Sequence, residues 1–371
     1  MSVVNIKIIF YAASLRPGGG LTVAKSIIVA LASDSNNTII VYTGERDSSR
    51  ELQSTFQQFD NVREIKFFQS SGSMARYLFS KIYFLYKTLF DRKLLLISIN
   101  YYVPSWCKQI VYHINLLSFM KTPNDTVWKK IKEFDARIAC KIATVNVFES
   151  DYLLKTATEY VGQVKNPKRL YVGVDDIFFT PPINGKSWDC HRLPNILSVT
   201  SPQPHKDNET GIQALATLCK EHPEIPWKLT IVGGQNVSQW DELKGFAEKT
   251  GVGPNIEFLG PVSKIDLTRL MQNSLCVIST SLIESFCMVA IESMAAGCPV
   301  IVTSETSMPE SVDDAAIIVE KYSVDGFYQA ILNFKENYDQ REKLIKQGGL
   351  HVAKFTQTQF ESNLENIVNE A

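Results

Sequence analysis

Short apolar runs of strand length alternate along the chain with longer stretches of helical spacing. The first series falls at residues 6–11, 38–42, 62–68, 94–99, 109–113 and 143–148. Runs that are apolar almost throughout, rather than at alternate positions, belong to strands buried on both faces. The pattern therefore predicts a parallel sheet covered by helices on each side. After Pro181-Pro182 the composition turns polar as far as Arg192, and the pattern then restarts at 195–199, 228–232, 255–259, 275–279, 299–303 and 316–319. That break predicts an α/β protein of two Rossmann-like, doubly wound domains. They are expected at residues 1–180 and 193–350, joined by a linker at 181–192, with a last helix at 351–371 that could return to the first domain. In such sheets ligands sit at the carboxyl ends of the strands, where helix N-termini offer unpaired N–H groups. The loops that follow strands are where chemistry is to be sought.

Length agrees with two domains, because 371 residues exceed one ordinary core. A formal charge of −1 and the lack of a dense Lys/Arg block give a nucleic-acid partner no electrostatic footprint. The seven cysteines form no CxxC pair and several lie in apolar runs, which suggests a reducing compartment. The cytoplasm, or the inner face of its membrane, is expected. No run reaches the roughly 18 apolar residues of a membrane span, and Arg16-Pro17-Gly18-Gly19-Gly20 after the first run reads as a strand's loop. Residues 74–93 complicate this picture, being rich in Tyr, Phe and Leu with Arg76, Lys81, Lys87, Arg92 and Lys93 interspersed. Such a segment could lie peripherally on an anionic membrane surface. A core helix with cations at its rim fits equally, since those charges do not gather on one helical face.

The most informative stretch runs from Leu275 to Ile301 and reads as strand, polar loop, helix, glycine stop, proline and strand. Glu284 falls at or before the helix start, where a carboxylate complements the dipole. Glu292 falls inside a helix whose neighbours Met288, Val289, Ala290, Ile291, Met294 and Ala295 are apolar nearly all round. An ionised carboxylate there needs hydrogen-bond donors, because burying it alone costs several kcal/mol. Either another part of the protein or a polyhydroxylated ligand such as a ribose could supply them.

Glu284-Ser285-Phe286-Cys287 followed by Glu292-Ser293-Met294-Ala295-Ala296-Gly297-Cys298-Pro299-Val300 resembles the E-x7-E motif of retaining glycosyltransferase family four. The likeness extends to 197–207, which ends in His205-Lys206-Asp207 and is similar to the family's strand and phosphate loop. It extends also to Thr230-Ile-Val-Gly233-Gly234, to Phe258-Leu259-Gly260, to the glycine-rich loop Pro17-Gly18-Gly19-Gly20 and to Gly173-Val174-Asp175. The resemblance implies a GT-B fold with its two domains facing across a cleft. It also implies a metal-independent, cofactor-free enzyme that moves a hexose-type sugar, with retention, from a nucleoside diphosphate sugar to a hydroxyl on a glycan or lipid-linked acceptor. Surface-polysaccharide assembly would be a fitting setting.

Residue by residue, the resemblance implies that Lys206 neutralises the donor diphosphate. Glu284, with the main-chain amides of Phe286, Cys287 and Met288, would hold the sugar and its phosphate, and Glu292 would accept the ribose hydroxyls. His113, at a strand end, would face the sugar, with Glu284 and Lys206 completing the catalytic set. Gly18, Gly19, Gly20, Ser201, His205, Gly233, Leu259, Gly260, Ser285 and Glu310 complete the donor-binding set. Ser201 and Thr200 stand where the family commonly adds an arginine, and Cys287 where it commonly has glycine. No Asp-x-Asp occurs, so no carboxylate pair is spaced as the metal-dependent transferases space it. Alternatives on the same architecture are a sugar-nucleotide epimerase and a non-catalytic nucleotide-sugar-binding subunit. A nicotinamide dehydrogenase is disfavoured for want of Gly-x-Gly-x-x-Gly after a strand.

Overall fold

The computed structural model describes residues 6–12, 19–43, 47–66, 73–91, 93–120, 127–181, 194–234 and 240–371. The chain divides into two compact units, one of Met1–Gly173 with Gln357–Ala371, the other of Val174–Thr356.

The first unit carries strands β1 (Lys7–Tyr11), β2 (Thr38–Thr43), β3 (Val62–Lys66), β4 (Leu95–Ile99), β5 (Lys108–His113), β6 (Val145–Phe148) and β7 (Pro167–Arg169). Helices α1 (Gly19–Ala32), α2 (Asp47–Phe56), α3 (Ser73–Leu89), α4 (Val127–Ile142) and α5 (Asp151–Val161) lie between them in sequence. All neighbouring strands are parallel, in the order β3-β2-β1-β4-β5-β6-β7. Near-continuous apolar strands such as Ile8-Ile9-Phe10 and Leu95-Leu96-Ile97 are buried throughout, as a sheet covered on both faces requires. β7 has no counterpart in the sequence reading: a three-residue run opening on proline gives no strand pattern, and the sheet tolerates Pro167 because β7 is an edge.

The second unit carries β8 (Asn195–Val199), β9 (Lys228–Val232), β10 (Ile256–Leu259), β11 (Cys276–Ser279), β12 (Val300–Thr303) and β13 (Ile317–Val319). Its helices are α6 (Asn208–Glu221), α7 (Asp241–Lys249), α8 (Lys264–Asn273), α9 (Met288–Ala295), α10 (Met308–Val312), α11 (Val324–Glu336) and α12 (Tyr338–His351). The sheet is parallel, in the order β10-β9-β8-β11-β12-β13. Its core packs Trp227, Trp240, Phe327 and Phe334 with aliphatic residues from β8, β9, β11 and β12. The unit begins at Val174, upstream of the polar stretch at 182–192, because this segment is tied into it. Val174 N donates to Phe355 O at 2.7 Å, Gln272 Nε2 donates to Thr180 O at 2.8 Å, and Phe178 is buried.

The last helix, α13 (Gln357–Glu370), belongs to the first unit and packs on α1 through a face that buries Phe360, Leu364, Ile367 and Val368. Gly173 is glycine for this reason: a Cβ there would lie 3.0 Å from Gln357 Cα and 3.1 Å from Phe360 Cβ. Among the described residues no helix is long and apolar enough to cross a membrane.

Candidate functional site

In the second unit the strand order turns back at β8, whose neighbours are β9 and β11. The loops leaving the adjacent strands β8 and β11 run in opposite directions and open a crevice in sheets of this topology, and ligands bind at that point. Here the loops after β8 and β11 carry Lys206 and Glu284, and the backbone stitches them together. Leu282 N donates to His205 O at 2.8 Å, Thr280 Oγ1 to Lys206 O at 2.8 Å, and Ser281 Oγ to His205 O at 3.3 Å. Lys206 Nζ then meets Glu284 Oε1 at 2.6 Å, each side chain being about one-fifth exposed. A third loop, after β12, steadies the pair from behind. Glu284 N donates to Thr306 Oγ1 at 3.0 Å, Ser307 Oγ donates to Glu284 O at 2.8 Å, and Cys287 N donates to Ser311 Oγ at 3.0 Å. Thr306 holds a left-handed φ of 51° to reach this contact. Nothing in the sequence pointed to Thr306, Ser307 or Ser311, since a serine-rich loop has no spacing signature for contacts made to backbone.

Glu292 lies in the middle of α9, half-buried. Its carboxylate receives no hydrogen bond from the described residues. Burial pushes it from the ordinary 4.5 up to about 7, Lys264 counteracting and Asp175 adding to the shift. Lys264 Nζ is itself engaged by Asp175 Oδ2 at 2.7 Å. The donors that the sequence demanded for this carboxylate are thus not supplied by a structural partner among the described residues.

The remaining residues of the expected set divide by location. Ser201 O accepts from Asn208 Nδ2 at 2.9 Å, which closes the loop before α6. His205 is half-buried, its imidazole pulled below the usual range by burial and by the neighbouring Lys206. Leu259 ends β10 and Gly260 follows it, its O accepting from Gly233 N at 3.4 Å. Gly233 has φ 123°, and a Cβ there would collide with the carbonyl oxygen of Thr200. Gly233→Ala is therefore expected to lower the unfolding free energy by more than about 2 kcal/mol, measured by urea denaturation.

Cys287 has φ −87°, which any residue adopts, so glycine is not needed at that position. Its thiol is pushed up to about 12 by burial and is inert. Of the three amides expected to face a ligand, Cys287 N is taken by Ser311 and Met288 N by Phe286 O at 3.1 Å. Phe286 is buried against Phe355, with ring centroids 5.6 Å apart. Ser285 lies in the same loop, and Glu310 in the first turn of α10.

Four residues of the expected set, Gly18, Gly19, Gly20 and His113, belong to the first unit. Gly18 lies outside the described residues, while Gly19 and Gly20 open α1, with open space where a Cβ would stand on Gly19. His113 ends β5 and is buried. Its Nε2 lies 3.0 Å from Asn146 Oδ1, and its ring stacks on Phe148 with centroids 4.7 Å apart. Because Asn146 Nδ2 donates to Lys165 O at 2.8 Å, the amide oxygen faces the imidazole, which assigns the proton to Nε2. Burial lowers the imidazole to about 4, so it is neutral at physiological pH. Among the described residues no three His, Cys, Asp or Glu side chains cluster as metal ligands would.

The second unit has a counterpart among known proteins. Residues 191–350 match the family described as Glycosyl transferases group 1. Over 171 residues the chain is 25% identical to the D-inositol 3-phosphate glycosyltransferase of Corynebacterium kroppenstedtii, a stretch covering 45% of this chain and 38% of that one. Over 150 residues it is 31% identical to the enzyme of the same name from Jonesia denitrificans, covering 37% and 35%. The chain thus spans well under half the length of these relatives. Among solved structures, Anabaena HepE in complex with UDP has a TM-score of 0.77 at 16% identity, covering 99% of this chain and 100% of that one. WaaG, a glycosyltransferase involved in lipopolysaccharide biosynthesis, has a TM-score of 0.76 at 15% identity, with 98% and 100% covered. At such identities the likeness is one of fold, and that fold is the GT-B arrangement of two parallel-sheet, Rossmann-like domains.

Proposed function

We propose that this chain is a retaining glycosyltransferase that transfers a hexose-type sugar from a nucleoside diphosphate sugar to a hydroxyl of a glycan or lipid-linked acceptor. The observation that carries this reading is Glu292. It is a carboxylate on a helix at the ligand-binding end of the sheet, without a hydrogen-bond donor among the described residues, eight positions after a glutamate already paired with a loop lysine. A ribose diol would give it two donors. Lys206 would exchange Glu284 for a diphosphate oxygen and neutralise the charge that develops as the glycosidic bond breaks. Glu284, thereby released, would accept hydroxyls of the sugar. Retention would follow from displacement on one face, the leaving phosphate taking the acceptor's proton and no sugar becoming bonded to the protein.

The match of residues 191–350 to a glycosyltransferase family and the UDP bound by HepE both favour a nucleotide-sugar donor. The test is the thermal shift of the purified protein with UDP, GDP, ADP and dTDP in the absence of metal. One nucleotide at a hundred times its Kd is expected to add ~2.7 kcal/mol of stability, and Glu292→Ala and Lys206→Ala should each remove most of it. Stabilisation by none of the four, or full stabilisation of both variants, would overturn the assignment.

A further inference from the structure

Helix α3 buries one side and carries a row of large apolar residues on the opposite, exposed side. Toward the core it buries Ser80, Phe84 and Thr88, one residue per turn, with Phe84 meeting Tyr42 edge-on at 4.9 Å. The opposite side carries Ile82, Tyr86 and Leu89, exposed by 68, 66 and 41%, and the stripe runs on into Phe90, exposed by 75%. Tyr86 and Phe90 are packed edge to face at 5.4 Å, which presents two aromatic rings as one block. A helix on a folded unit ordinarily turns its large apolar residues to the core and its polar ones to solvent. This one shows Ile82, Tyr86, Leu89 and Phe90 to solvent over about two turns, whereas on α4 the exposed Val127, Phe134 and Ile142 stand about two turns apart from one another.

The charges identify the occupant. Within Ser73–Leu89 there are three cations, Arg76, Lys81 and Lys87, and no carboxylate. Lys81 lies on the flank and is spent on Asp135 of α4, which locks the helix to the unit rather than leaving it to detach. Lys87 is exposed on the other flank, and Lys93 follows. A protein partner of a basic, aromatic face would bring its own acidic rim but leave aromatics of this size needing a matched groove. A bilayer with anionic headgroups satisfies both halves at once: acyl chains and the interface take Ile82, Leu89 and the rings, and the headgroups take the ammonium groups. We propose that this outward face of α3, continued by Phe90, is a docking surface for an anionic phospholipid bilayer, with the helix lying in the plane of the interface.

The experiment uses the full chain and sedimentation with vesicles of phosphatidylcholine containing about 30 mol% phosphatidylglycerol, beside vesicles of phosphatidylcholine alone. Binding is expected to be at least about tenfold tighter to the anionic vesicles and to fall steeply as salt is raised. Because Ile82 and Phe90 are so exposed, I82E with F90E should leave the melting temperature within about 2 °C of the wild type. The same pair should weaken vesicle binding at least about tenfold. Ile265→Glu, on an exposed position of the second unit, serves as the control and should leave it unchanged. Absence of binding by the wild type, or binding indifferent to the paired substitution, would overturn the proposal. So would a dimer in solution that the paired substitution dissociates, since the face would then belong to a second copy. The nucleotide thermal shift is read on the same samples, so failure of this surface and failure of the donor site are separate results.

Discussion

Lys206→Ala is expected to lower the turnover number about 10²- to 10³-fold, the range found when one preorganised charge-stabilising group is removed from a site of this kind. The substitution acts twice. It deletes the cation that would meet the diphosphate, and it strands the Glu284 carboxylate, which in the free protein has Lys206 at 2.6 Å and sits only about one-fifth exposed. Losing the pair should also destabilise the second unit by about 1 kcal/mol, because both groups retain some contact with water. Lys206→Arg separates the two effects. A guanidinium keeps the charge and can still pair with Glu284, but its planar fork replaces a compact ammonium, so partial recovery of stability with little recovery of turnover is expected. Single-turnover measurements on both variants decide the matter. A Lys206→Ala turnover within about threefold of the wild type would remove this lysine from the chemistry.

Glu292→Gln is expected to make the protein more stable and a poorer binder at once. Its carboxyl is raised to about 7 in the folded chain from an ordinary 4.5. A carboxyl raised on folding holds its proton more tightly in the native state than in the unfolded one. Its contribution to stability is therefore complete below about pH 4.5 and is lost as pH rises through about 7. At pH 8 the ionised group is a burden on the order of 2 kcal/mol, allowing for its partial exposure. Glutamine removes that burden, and the melting temperature should rise by about 4–8 °C.

The ligand reverses the preference, since ribose hydroxyls donate best to the ionised carboxylate. Nucleotide affinity of the wild type should strengthen about tenfold from pH 6 to pH 8. In Glu292→Gln that dependence should vanish, with affinity at pH 8 reduced at least about tenfold. Calorimetric titration at the two pH values measures both. A flat profile in the wild type would mean that the carboxylate does not meet the nucleotide.

The part of this candidate site that lies in local segments can be read from the sequence, for a physical reason. Lys206, Glu284 and Glu292 each lie within a short segment whose strand, loop and helix pattern is local, and a carboxylate among Ala290, Ile291 and Met294 declares its own need for donors. What stayed hidden was whatever depends on contacts between distant segments. Thr306, Ser307 and Ser311 hold the Glu284 loop by hydroxyl contacts to its backbone atoms, and such contacts leave no spacing in the sequence. Likewise His113 could be placed at a strand end, but its Asn146 partner on the adjacent strand follows only from the β5-to-β6 register. The parallel sheets were legible because strands buried on both faces are apolar throughout. β7 was not, being short and opened by proline.

The assignment of α13 to the first unit has a consequence for biosynthesis. Domains emerging from a ribosome ordinarily mature in the order of their sequence. Here the second unit has all of its strands and helices once Thr356 has been added, whereas the first still lacks the helix that covers α1. The half translated first is thus the half finished last. Until Phe360, Leu364, Ile367 and Val368 arrive, the α1 surface they cover must be shielded by a chaperone or tolerated bare.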